Sequence, residues 1–168
     1  MRPWRAGAAG MGIVLVVTGC AGRLGPGDVY RSSKGYRVSL PSQDWRVVND
    51  SHADLELRHR QAPAAMLVNA SCDPRLADRP PEALRREILA GFSEREVQER
   101  DAVVVAGREA GHLVVDGRYR PQDERVRLEL YVLKGERCVY DLLYAAPPAD
   151  FERWRPDFQR LVETIALE

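Results

Sequence analysis

Three cysteines, three histidines and a few carboxylates set in apolar stretches are the side chains of this 168-residue sequence with chemistry to offer. Cys72 and Cys138 are candidates for a disulfide. A bridge between them would close a loop of about 65 residues and contribute roughly 4 kcal/mol by restricting the unfolded chain. It requires the Cα atoms to approach within about 7 Å, which sequence spacing does not establish; two separate buried thiols are the alternative. With no Cys-x-x-Cys pair and no histidine in a compelling position, a catalytic thiol is not expected. His52, His59 and His112 stand apart from one another, without the ligand spacing a zinc site shows, so no metal and no cofactor are expected. The serines include no Gly-x-Ser-x-Gly elbow, and the glycines form no phosphate-binding loop.

Two acids stand out. Asp73 follows Cys72, and Asp141 lies within the apolar run Val139–Ala145, on the strand face opposite Tyr140. A buried carboxylate needs a partner, most simply an arginine. Asp141 is therefore a candidate pocket acid, with a solvated face or a structural ion pair as the plainer alternative. Arg118, Arg120, Arg125 and Arg127 are interleaved with Asp123, Glu124 and Glu129. Mixed signs of this kind suit an exposed hairpin better than an anion site.

The elements that must position these groups follow from periodicity. Tyr36–Leu40, Trp45–Val48 and Asp54–His59 alternate or run extended as half-buried strands do. Ala64–Ser71 is apolar with little alternation and suits a central strand covered on both faces. Pro80-Pro81-Glu82 opens a helix whose apolar positions are Leu84, Ile88, Leu89 and Phe92, with Arg85, Arg86 and Glu87 on the other side. Strands resume from Val97, with turns at Gly107, Asp116-Gly117 and Lys134-Gly135-Glu136. The chain closes on Phe151, Trp154, Phe158, Leu161, Val162 and Ile165 at helical spacing. Pro156 predicts a break, with one helix ending near Trp154 and another starting at Pro156. Segregated strands and helices argue an α+β domain with helices packed on an antiparallel sheet.

The first 20 residues have a different character. Arg2 and Arg5 precede an apolar run from Ala6 to Val17, and Val17-Thr18-Gly19-Cys20 closes it. The run is shorter than a membrane-spanning segment and interrupted by glycine, as in a secretory signal. The closing four residues resemble a bacterial lipobox. The resemblance implies cleavage before Cys20, diacylation of its thiol and acylation of the new amino group. Residues 1–19 are then a signal peptide, residues 20–35 the lipidated cysteine and a Gly/Ser-rich tether, and residues 36–168 a single domain. Ala21 in place of the Asp that retains enteric lipoproteins in the inner membrane favours the periplasmic face of the outer membrane.

The whole sequence carries 25 basic and 25 acidic residues, which excludes a strongly basic nucleic-acid-binding protein. Losing Arg2 and Arg5 leaves 23 against 25, and no polybasic membrane segment is visible in the chain. The phrase Gly35-Tyr36-Arg-Val-Ser-Leu-Pro41 followed by Trp45, and the closing helix Asp157-Phe158-Gln-Arg-Leu161-Val162-Glu-Thr-Ile165, resemble the PsbP/Mog-type family of α-β-α sandwiches. That resemblance implies the fold and no activity, because its members differ widely in role. The expected protein is thus an envelope lipoprotein acting as a non-enzymatic accessory or binding module. Its partners would be a membrane, through Cys20, and an envelope protein. The alternative is a small-ligand carrier or enzyme with a pocket between sheet and helix.

Overall fold

The computed structural model describes residues 22–168. The chain opens with three short strands, β1 (Arg23–Gly25), β2 (Val29–Ser32) and β3 (Tyr36–Ser39), followed by β4 (Trp45–Val47), β5 (Leu55–His59) and β6 (Ala65–Ser71). Two helices come next, α1 (Pro74–Ala77) and α2 (Pro81–Ile88), then a 3-10 turn at Leu89–Gly91. The meander is β7 (Phe92–Val105), β8 (Arg108–Tyr119), β9 (Glu124–Lys134) and β10 (Val139–Ala146). The chain closes with α3 (Phe151–Thr164) and the two-residue β11 (Ala166–Leu167).

Seven strands form one antiparallel sheet in the order β4-β5-β6-β10-β9-β8-β7, and four form a smaller one in the order β1-β2-β3-β11. Alternation assigns the faces of the large sheet. Tyr140, Leu142 and Tyr144 of β10 point to one side, where Phe151, Phe158, Leu161 and Val162 of α3 meet Tyr30, Tyr36 and Val38 of the small sheet. On the other side Leu84 of α2 packs on Leu130, Val132 and Val139. Leu89 packs there on Leu113, Val115 and Leu128. The result is the α+β sandwich, with helices on both faces of a central antiparallel sheet.

Five local expectations give way to the three-dimensional structure. The tether over 20–35 is largely folded. β1 and β2 lie within it, and Tyr30 is buried with its hydroxyl donating to the Asp54 carbonyl at 2.5 Å. Even Gly22 is packed, since a Cβ there would strike the Tyr30 ring. Cys20 and the expected signal segment, residues 1–19, lie outside the described residues.

Pro156 does not break α3, which runs unbroken for 14 residues. Its missing N–H deprives only the Glu152 carbonyl on the exposed side, while the apolar stripe is anchored at both ends by Phe151 and Val162. Asp116-Gly117 is not a turn but part of β8; the reversal comes at Arg120–Asp123. Gly117 is there for close approach, since a Cβ would lie 3.4 Å from the Ser93 carbonyl. Arg85, expected on the outer side of its helix, is buried against Gly111, where a Cβ would strike its guanidinium. β6 buries Met66, Val68 and Ala70 fully and its alternate residues only in part.

Candidate functional site

The polar centre of the molecule lies on the α3 face of the large sheet, where β7, β8 and β9 run side by side. Their register sets acids and a histidine in two adjacent rows. Asp101, His112 and Tyr131 face one another across the three strands, and Glu99, Val114 and Glu129 form the next row. Arg155, from the first turns of α3, reaches down onto the second row.

Glu129 is the hub and is completely buried. Its Oε1 lies 2.9 Å from His112 Nε2 and accepts a hydrogen bond from the Tyr131 hydroxyl at 3.0 Å. Arg155 Nε donates to Glu129 Oε2 at 3.0 Å. The same guanidinium donates from its two terminal nitrogens to Glu99, at 3.0 and 2.8 Å. His112 Nδ1 lies 3.4 Å from Asp101, and its ring stacks on Tyr131 with centroids 4.5 Å apart. The network thus runs from a sealed carboxylate outward to two acids at the solvent edge.

The electrostatics follow from these contacts. Burial alone pushes the Glu129 carboxyl upward, but the hydrogen bonds from His112, Arg155 and Tyr131 outweigh it and hold the group below the ordinary carboxylate range. Burial pushes His112 down, and its hydrogen bond to Glu129, with the charges around it, leaves it raised. Arg155 lowers Glu99 by a two-armed hydrogen bond. Burial raises Tyr131, and Glu129 adds to the effect. Glu99, Asp101 and His112 bring one ligand-type atom each within 4.8 Å of one another, the spacing of a cation site. Both Glu99 oxygens are taken by Arg155, and Asp101 faces His112 Nδ1, so these acids already have partners in the protein. Chemically the arrangement is a charge-matched clamp joining α3 to three strands, with one titratable imidazole inside it.

Of the residues named from sequence, His112 and Glu129 belong to this network, and the cysteines, Asp73, Asp141, His59 and His52 lie elsewhere. Cys72, exposed at the end of β6, and Cys138, buried before β10, are joined by a disulfide with Cα atoms 4.0 Å apart. Two small hollows flank Cys138. One of about 140 Å³ is lined by Lys34, Arg108, Tyr140 and Glu168, and one of about 50 Å³ by Asp73, Lys134 and Arg137. Asp73 caps α1, accepting from the Arg75 backbone N–H at 3.0 Å, and pairing with the Arg75 guanidinium holds its carboxyl at about 2.

Asp141 does face away from Tyr140, but among the described residues no arginine pairs with it. It stands between Asn69 and Val132 in the register, its Oδ1 is buried without a hydrogen-bond partner, and burial raises its carboxyl to about 6. It lines neither hollow. His59 is buried between Trp45 and Trp154, with ring centroids 5.1 and 3.9 Å away, and accepts from the Gln61 N–H through Nδ1. His52 is exposed and apart.

Glu129, Arg155, Glu99 and Asp101 were not distinguished by their sequence context. Glu129 falls in a stretch that reads as an exposed mixed-charge hairpin. Arg127 does pair with Asp116, at 2.6 Å, but Glu129 two residues on is sealed. The available signal was the parity of Leu128-Glu-Leu-Tyr-Val-Leu133. Apolar residues occupy both faces there, so the strand is covered on both and its one acid must be buried.

No protein-family model matches the chain, and no curated protein matches it in sequence. Solved structures do resemble it. LpqN of Mycobacterium tuberculosis, described as involved in cell envelope biogenesis, superposes with a TM-score of 0.59 at 15% identity, covering 79% of this chain and 84% of that one. Cyanobacterial PsbP (CyanoP) of Synechocystis gives a TM-score of 0.59 at 14% identity over 90% of this chain and 99% of its own. A Pseudomonas aeruginosa protein of unknown function, a putative regulator, gives 0.52 at 14% identity over 81% and 93%. Likeness at these identities is a likeness of fold, and the fold is PsbP-like.

Proposed function

We propose that the chain is an envelope lipoprotein whose domain works as a non-enzymatic accessory or binding module, held at a membrane surface by acyl chains on Cys20. The observation that carries this reading is the junction between signal and fold. A lipobox-like Val17-Thr18-Gly19-Cys20 ends two residues before Gly22, where the packed domain begins. A cysteine placed there can carry lipid without disturbing the core. More than one acyl chain gives stable anchoring. The Cys72–Cys138 disulfide agrees with an oxidising compartment outside the cytoplasm. The fold is shared with LpqN, whose own description concerns envelope biogenesis. Ala21 favours the periplasmic face of the outer membrane.

The buried network reads as structural rather than catalytic. Its acids are matched by Arg155 and His112, and its hub is sealed, so it holds α3 in place instead of addressing a substrate. The test is fractionation of cells making the native protein or Cys20→Ser. The native protein stays with the membranes through a high-salt wash, and the variant is released to the soluble fraction. A variant that stays equally bound contradicts the anchor.

A further inference from the structure

The sequence contains no polybasic run, yet strand pairing builds one. In the small sheet Arg23 of β1 lies directly opposite Arg31 of β2, and Arg31 directly opposite Arg37 of β3. Neighbouring strands are about 4.8 Å apart, so three guanidiniums stand in a row roughly 10 Å long. All three residues are exposed. They share the outer face, because the residues that alternate with them, Tyr30, Tyr36 and Val38, are buried in the core.

Like charges directly opposite one another on a sheet are destabilising. The only acid bonded to the row among the described residues is Glu168, whose Oε1 lies 3.1 Å from Arg31 Nη1 and 3.6 Å from Arg37 Nε. Arg23 has no such partner. Three positive charges against one negative leave the row with a surplus, on a domain whose other residues are net acidic.

The position of the row gives this surplus a partner. Only Ala21 and Gly22 separate Cys20 from Arg23. Three residue steps span at most about 11 Å fully extended, close to the roughly 8 Å over which charges act at physiological salt. Any lipid on Cys20 therefore holds the first arginine of the row near the headgroups.

Resting on the lipoprotein reading for its geometry, we propose that the outer face of the β1-β2-β3-β11 sheet docks on the anionic phospholipid headgroups of the leaflet that holds the anchor. The planar guanidinium forks match phosphate oxygens two at a time. The anchor then supplies residence on the membrane, and the arginine row supplies orientation. The sheet faces the lipid, and the opposite side, with α1 and α2, faces away.

The core closes within residues 22–168, so the test uses the mature-length chain carrying Cys20→Ser, made without lipid. Partitioning is measured by sedimentation with vesicles of phosphatidylcholine alone and of phosphatidylcholine with 30% phosphatidylglycerol. The expected result is binding to the anionic vesicles only, weakening as salt rises, and falling about fivefold for each arginine removed from Arg23→Gln/Arg31→Gln/Arg37→Gln. An equal number of charges removed from the meander of the large sheet, Arg95→Gln and Arg100→Gln on β7 with Arg125→Gln on β9, leaves it unchanged. Glu168→Gln strengthens it, a gain that unfolding cannot produce. Equal binding to both vesicle types, or an equal loss in the two triple variants, overturns the proposal. Because the chain tested carries no lipid, these outcomes are independent of whether native Cys20 is acylated. An unacylated native protein whose row still prefers anionic vesicles would defeat the anchor alone.

Discussion

His112 Nε2 lies 2.9 Å from Glu129 Oε1, and both side chains are shut away from solvent. The imidazole gains proton affinity from this contact and the carboxyl loses it. A histidine whose folded value is raised contributes stability that is complete below its unfolded value of about 6.5 and fades as pH rises through the folded one. A carboxyl whose folded value is lowered contributes stability present above its unfolded value and lost as pH falls through the folded one. Together they predict greatest support from this pair in mildly acidic solution. Urea midpoints should fall between pH 6 and 8 in the native protein, and the fall should be smaller in His112→Gln. Arg155→Met, which strands the buried Glu129 charge, should cost about 3–5 kcal/mol. An Arg155→Met protein as stable as the native one would contradict the clamp.

Asp141 predicts an effect of the opposite kind. Its carboxyl is raised to about 6 by burial alone, with Oδ1 unpartnered. The folded state therefore binds the proton more tightly than the unfolded state, and stability from this group declines as pH rises from about 4 to 6. Asp141→Asn should stabilise the protein at pH 7.5, by up to about 3 kcal/mol, and the gain should vanish near pH 4. Denaturant titrations at the two pH values decide it. A destabilised variant at pH 7.5 would reveal a required charge there, as a pocket acid demands.

The disulfide joins residues 66 apart in sequence. Replacing both cysteines by serine should cost about 4 kcal/mol through the freed unfolded chain, with the fold retained. Thermal unfolding with and without reductant measures the same quantity on the native protein. The native midpoint should drop on reduction, and the double variant's should not respond.

Pro156 lies inside α3 on its exposed side. Pro156→Ala restores one N–H to the helix and should raise stability by about 1–3 kcal/mol, since nothing buried is lost. A loss on this substitution would mean that the proline ring shapes how Arg155 reaches Glu129.

The sequence showed its elements where the signal was local. The periodicity of Tyr36–Leu40 and of the closing helix marked strand and helix because each buries one consistent face, and Val126–Leu133 read as a strand from its alternation although both of its faces are covered. The sandwich order followed from them. What escaped was long-range. β1 and β2 are only three and four residues long and are held by pairing with β3 and by Tyr30, which no local pattern records. The clamp joins Glu99, His112, Glu129 and Arg155 from four elements, so its members look like surface charges until the register is known. The arginine row is likewise a product of register, since its members are six and eight residues apart. The lipobox-like Val17-Thr18-Gly19-Cys20 is a short linear pattern that needs no strand register to be noticed, and it falls outside the described residues.

The proposed function stands on lipid carried by Cys20. The most direct test is the intact mass of the native protein extracted from membranes, with and without reduction and alkylation. The account predicts a chain beginning at Cys20, heavier than its residues by acyl and diacylglyceryl groups, with two further cysteines that alkylate only after reduction. A chain of unmodified mass, or one that keeps residues 1–19, would contradict it.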